Sequence, residues 1–173
     1  YSHRRGLIGA HTAEGRFEDA VFAYLVEDFE SAAVTFYTLV ESDALTKPAL
    51  ARDAEWYLAE CLLEFRNIRA AVDAYNRIIS HGQGHPFFND AVRRQLEAYG
   101  YLGDSSGFYQ VYNRFIVTAV VPTTDAVKYS MAKSFYHQGD WTRAKSLFAE
   151  VSGESAMYTR ARYFLGAILV AEG

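Results

Sequence analysis

The stretch Phe135-Tyr136-His137-Gln138-Gly139-Asp140-Trp141-Thr142-Arg143-Ala144-Lys145-Ser146-Leu147-Phe148 constrains this chain more than any other. One helical run ends at the Gly139-Asp140 turn, and a second starts at once with Trp141. The second run keeps a small residue, Ala144, three places on, and an aromatic, Phe148, four beyond that. That spacing belongs to a helix and not to a strand. The small residue lets paired helices approach closely, while large apolar residues fill the space on either side. A single such hairpin cannot bury its apolar faces, so neighbours must stack on it.

Similar seams recur along the chain. The small-residue position of the first helix falls at Ala20, Ala59, Leu96, Ala132 and Gly166, in steps of 39, 37, 36 and 34 residues. Four helix pairs are expected. They run over about 14–27 with 29–42, 49–65 with 68–80, 88–102 with 105–119, and 124–138 with 141–151, followed by a lone helix over about 155–171. The repeats then span about 13–48, 49–86, 87–122 and 123–153, with a half repeat at 154–173, in one domain over 1–173. The turns fall at Glu27-Asp28, Arg66-Asn67, Gly103-Asp104 and Gly139-Asp140. All three prolines, Pro48, Pro86 and Pro122, lie between pairs, where they cost no helical hydrogen bond. Two places fit poorly. Phe108 stands where the second helix of pair three should carry a small residue, so that helix is expected to start late or be displaced. Gly15, Phe17, Ala20 and Tyr24 also imitate a second helix, which would make residues 3–14 the first helix of a cut repeat.

The composition is 50% hydrophobic and 22% charged, with a formal charge of −4, as expected of a soluble globular chain. The closest basic groupings are Arg4-Arg5, Arg93-Arg94 and Arg160/Arg162, with no basic stripe, which argues against nucleic acid as a partner. The longest apolar stretch, from Phe115 to Val121, is too short to span a membrane. Cys61 is the single cysteine, so no intrachain disulfide is possible. The chain starts at a Tyr and ends on half a repeat, and it reads as a fragment of a longer protein.

On these seams the chain resembles the tetratricopeptide-repeat superfamily, most clearly over 126–151 and 54–79. The implied fold is an all-α, right-handed superhelical solenoid of antiparallel helix pairs, about four and a half repeats long. Trp56-Tyr57-Leu58-Ala59-Glu60, followed by Ala70-Ala71-Val72-Asp73-Ala74-Tyr75, is similar to bacterial cell-envelope members. Those include the periplasmic Tol–Pal accessory protein and the lipoprotein of outer-membrane barrel assembly. That likeness implies a periplasmic or envelope-associated location.

The resemblance also implies a concave groove lined by the first helices. The family's groove positions fall here on Phe17, Val21 and Tyr24; on Trp56, Glu60 and Leu63; on Arg93, Glu97 and Tyr101; on Tyr129, Lys133 and Tyr136; and on Tyr163 and Ala167. A groove that clamps a terminal carboxylate would need Lys and Asn at fixed positions, and Val21, Glu60, Glu97, Lys133 and Ala167 do not supply them. The chain holds 13 Tyr, 12 Phe and 2 Trp, well above the roughly fourteen aromatics that packing alone would use. Aromatics with a polar tip suit interfaces. The partner-binding residues expected on this basis are Phe17, Tyr24, Trp56, Glu60, Arg93, Glu97, Tyr129, Lys133, Tyr136 and Tyr163. The aromatics would anchor a protein or peptide segment, and Arg93 with Lys133 would meet its acidic groups. If Trp56 and Tyr129 serve only docking, replacing them by Ala leaves the melting temperature nearly unchanged.

No chemistry stands beside this scaffold. His81 and His85 flank Gly82-Gln83-Gly84 with no third ligand near in sequence, so they read as loop polarity and no metal is expected. His137 precedes the Gln138-Gly139 turn, where a positive charge suits a helix C-terminus. Cys61 sits on an apolar face and reads as a buried, inert thiol. Gly103-Asp104-Ser105-Ser106-Gly107 lacks the lysine of a phosphate loop. No nucleophile, base and oxyanion donor stand together, so neither catalysis nor a cofactor is expected. The function expected is a non-enzymatic adaptor within a bacterial cell-envelope complex. The rivals are an architectural segment of a large motility, secretion or assembly machine, an RNA-reading repeat, and the regulatory arm of an enzyme.

Overall fold

The computed structural model describes residues 12–173, and only helices and turns occur among them. The helices are α1 (Ala13–Leu25), α2 (Phe29–Glu41), α3 (Pro48–Glu64), α4 (Ile68–Ser80), α5 (Phe88–Leu102), α6 (Ser105–Val111), α7 (Asp125–His137), α8 (Trp141–Ala149) and α9 (Tyr158–Glu172). A π-helical segment, Tyr112–Val117, continues α6. The chain divides into two compact units, one ending at Phe88 and one running from Asn89 to Gly173. In the first, α1 packs on α2, α2 on α3 and α3 on α4; in the second, α7 packs on α8 and α8 on α9. Each unit is an all-α stack of helix hairpins of the helical-solenoid kind.

The four seams share one backbone device. Glu27, Arg66, Gly103 and Gly139 hold φ of 65°, 67°, 66° and 79°, the left-handed conformation that closes a helix. The next residue's N–H then reaches back five residues: Asp28 to Ala23 O at 2.9 Å, Asn67 to Leu62 O at 2.9 Å, Asp104 to Tyr99 O at 3.0 Å and Asp140 to Phe135 O at 2.9 Å. Three of the four then cap the following helix. Asp28 Oδ1 accepts from Ser31 N at 3.2 Å, Asp104 Oδ1 from Gly107 N at 2.9 Å and Asp140 Oδ1 from Arg143 N at 3.1 Å. Asn67 makes no such bond. A cap of this kind satisfies an N–H that the helix itself leaves unpaired.

Ala32, Ala59, Ala71, Ala132 and Ala144 are all fully buried at the positions where helices cross, with Phe36, Tyr75 and Phe148 filling the space beside them. The third pair solves the same problem differently. Its second helix, α6, begins on time at Ser105, and Phe108 is fully buried, stacked on Tyr112 and tilted against Phe135. Gly107 supplies the close approach instead, since a Cβ there would lie 2.3 Å from the Tyr99 ring. What departs from a regular helix is the second half, Tyr112–Val117, where the wider π turn still buries Phe115 and Ile116.

α9 starts at Tyr158, three residues later than the periodicity predicts, because Ser152–Met157 forms turns. The alternative first helix over 3–14 lies almost wholly outside the described residues, as do His3, His11 and Arg4-Arg5. α1 itself is opened by Thr12, whose Oγ1 accepts from Gly15 N at 2.9 Å. Among the described residues no helix is long and apolar enough to cross a membrane.

Candidate functional site

In the second unit the face shared by α5, α7 and α9 brings together six of the ten expected residues. α5 and α7 meet closely because Gly100 faces Ser134, where a Cβ would lie 2.4 Å from the Ser134 Cα. Above that contact sits Glu97, 1% exposed, and three cations turn toward it. Lys133 Nζ donates to Glu97 Oε1, Arg94 Nη1 donates to Oε2 at 3.0 Å, and Arg93 Nη1 lies 3.8 Å from Oε2. Ser130 Oγ donates to Oε2 at 3.1 Å and accepts from Arg93 Nη1 at 3.2 Å. Burial alone would raise the Glu97 pKa, but Arg94, Lys133 and Arg93 together hold it below the usual carboxylate range. Burial works against the Lys133 charge too, and Glu97 overcomes it, so that pKa rises. Both groups stay charged.

The Lys133 ammonium also lies over the Tyr101 and Tyr129 rings, 5.5 and 5.6 Å from their centroids. From Tyr129 the strip continues onto α9. Phe164 receives Tyr129 and Tyr136 edge-on, at 6.2 and 5.1 Å, and stacks on Phe148 at 5.1 Å. Tyr163 stands beside Phe164 and is 72% exposed. Burial raises the Tyr129 pKa, and Arg160 adds a further positive charge nearby. Arg93, Glu97, Tyr129, Lys133 and Tyr136 therefore form one continuous strip in which a cation cluster leads into an aromatic run, and Tyr163 adjoins it only through Phe164, its neighbour along α9. Arg93 and Lys133 are already engaged by Glu97 within the chain, and Tyr129 is buried. Tyr163 is the strip's exposed ring.

Sequence reasoning missed Arg94, Ser130 and Phe164. Arg94 carried a signal, since it stands three residues before Glu97 on one helix. Ser130 and Phe164 carried none, because helical spacing gives a face and not the partner across it.

The four expected residues of the first unit are packed among other rings. Phe17 is buried edge-on to Phe36 and Tyr57, and Tyr24 lies edge-on to Phe29 and Tyr57. Trp56 stacks on Phe87 at 5.0 Å with a 10° interplanar angle and tilts against Tyr75. Glu60 accepts from the Tyr75 hydroxyl at 2.5 Å. Cys61 is fully buried, and burial with the nearby Glu60 pushes its thiol up to about 12, which keeps it protonated.

Each unit also carries a cleft between consecutive second helices. One, of about 340 Å³, is floored by Leu58 and Leu62 and edged by Tyr37 and Arg77. The other, of about 380 Å³, is floored by Met131 and Phe135 and edged by Tyr109 and Arg143. Among the described residues no cluster of three His, Cys, Asp or Glu side chains is arranged to hold a metal ion.

The tetratricopeptide-repeat family model matches the chain twice, over residues 53–81 and 126–154. The first stretch covers most of α3 with α4, and the second covers α7 with α8 and the turn after it. These matches support assignment to the tetratricopeptide-repeat superfamily, whose members generally act in protein–protein interaction and are generally not catalytic. No curated protein and no solved structure matches the chain.

Proposed function

We propose that the chain is a non-enzymatic interaction scaffold that docks a protein segment onto the α5–α7–α9 strip of its second unit. The observation that carries this reading is the strip itself. Arg93, Arg94, Lys133 and Arg160 outnumber the two carboxylates beside them, Glu97 and Asp90, on a face that ends in the exposed Tyr163 ring. A positive surplus next to an aromatic surface suits a segment that carries acidic groups around an apolar anchor. The buried pairs around Glu97 hold the helices in register, and the rings supply contact area at low entropic cost. The local wording of Trp56–Glu60 and Ala70–Tyr75 supports a cell-envelope complex as the setting.

An architectural role is the second reading, and α9 favours it. Leu169 and Val170 are 60% and 83% exposed on a helix whose other side is packed. Tyr163→Ala separates the two. In the full-length protein the docking reading expects this change to leave the melting temperature within about 1 °C, since surface substitutions cost little. It also expects loss of the co-purifying partner. Retention of the partner by Tyr163→Ala, with loss on Leu169→Asp instead, favours the architectural reading, because Leu169 lies on a different side of α9 from Tyr163.

A further inference from the structure

Away from that strip, the first unit holds a polar cavity of about 340 Å³ where α3 meets the loop after α4. Arg52 and Glu55 of α3, His81 at the end of α4, and Gly84 and His85 of the loop line it. His85 is the informative group. Its side chain is 2% exposed, and its Nδ1 accepts the backbone N–H of Phe87 at 3.1 Å. A neutral imidazole that accepts at Nδ1 carries its proton on Nε2, which makes Nε2–H a donor. That donor has no hydrogen-bond partner among the described residues. The nearest carboxylate oxygen, Glu55 Oε2, is 3.9 Å away and already faces His81 Nε2 at 3.1 Å.

A buried donor without a partner is costly and calls for an acceptor. Burial first, then His81 and Arg52, lower the His85 pKa, so the ring stays neutral and keeps this tautomer. A metal ion does not fit, because it would need the Nε2 lone pair, and the Phe87 N–H already occupies Nδ1. The charge of the acceptor follows from its neighbours. Arg52 is exposed and has no ion pair among the described residues, whereas Glu55 is engaged by His81. We propose that this cavity binds an oxyanion group, a carboxylate or a phosphate, with one oxygen on His85 Nε2–H and the negative charge on the Arg52 guanidinium.

Imidazole ¹⁵N–¹H NMR of the full chain at pH 7.5 tests this, with sodium phosphate and sodium acetate titrated separately against a sodium chloride control. The proposal expects a saturable shift of the His85 Nε2–H resonance with at least one of the two anions and none with chloride. Whichever anion saturates first identifies the group. Arg52→Gln, at an exposed position, is expected to keep the fold and weaken that binding about tenfold or more, the loss of a charge-assisted hydrogen bond. Absence of saturation with both anions, an unchanged titration in Arg52→Gln, or His85 observed with its proton on Nδ1 overturns the proposal.

Discussion

Arg66 holds φ of 67°, in the left-handed region that residues with a side chain rarely adopt. It stands where Gly103 and Gly139 stand in the later seams, and a side chain in the left-handed region costs energy that glycine avoids. Arg66→Gly is therefore expected to stabilise the protein by about 0.5–1 kcal/mol, read as a higher denaturant midpoint. A lower midpoint would mean that Arg66 makes a contact worth more than the strain. The Gly-Asp seams were legible in sequence because glycine and aspartate announce their backbone roles. Arg66-Asn67 was found only by its place in the period. His85 was legible as a residue but not as a site, since its tautomer depends on the Phe87 N–H two residues on. That residue also sets a pH dependence. Its folded pKa lies below the ordinary 6.5, so the unfolded chain binds the proton more readily. Stability should fall as pH drops below about 6.5 and stop falling below the folded pKa. Comparing melting from pH 7.5 to 5 in the wild type and in His85→Gln isolates this contribution. Identical slopes would remove His85 as its source.

At the scale of elements, the helix pairs that periodicity predicts recur in the structure with shifts of a few residues at their ends. Periodicity sees the 3.6-residue repeat but not the hydrogen bonds that end it, which is why the turns before α9 shortened that helix. The π segment after α6 was invisible for a related reason, since Tyr112–Val117 is as apolar as an α-helix would be. Across α5 and α7, each charge at Arg93, Glu97 and Lys133 was legible, but their convergence was not. Removing one partner from a buried cluster leaves the others uncompensated. Glu97→Gln leaves three cations facing one another and should cost roughly 3 kcal/mol, measured by urea unfolding. A cost under about 0.5 kcal/mol, the range of an exposed pair, would show that solvent reaches the cluster. Tyr129 is 6% exposed between Phe148 and Phe164, so Tyr129→Ala should also lower stability, by about 3 kcal/mol. An unchanged melting temperature there would return Tyr129 to a purely docking role.

For the whole molecule, repetition explains why fold and function were unequally legible. A repeat states its packing rule several times, so a poor copy such as the Phe108 pair is rescued by its neighbours. A docking surface is stated once. Its residues face a partner whose sequence is not in the chain, and helical spacing assigns groove rings and packing rings alike. Phe17, Tyr24, Trp56 and Tyr129 follow the groove pattern and still spend their area on other rings of the same unit. Tyr163 follows the same pattern and leaves its ring in solvent. Cross-linking mass spectrometry of the full-length protein in its native cells reads out whether a partner segment is held on the α5–α7–α9 strip. Partner cross-links within the second unit should then concentrate around Tyr163, Arg160 and Lys133. Cross-links confined instead to the second-helix cleft at Tyr109 and Arg143, with none on the strip, would contradict docking there.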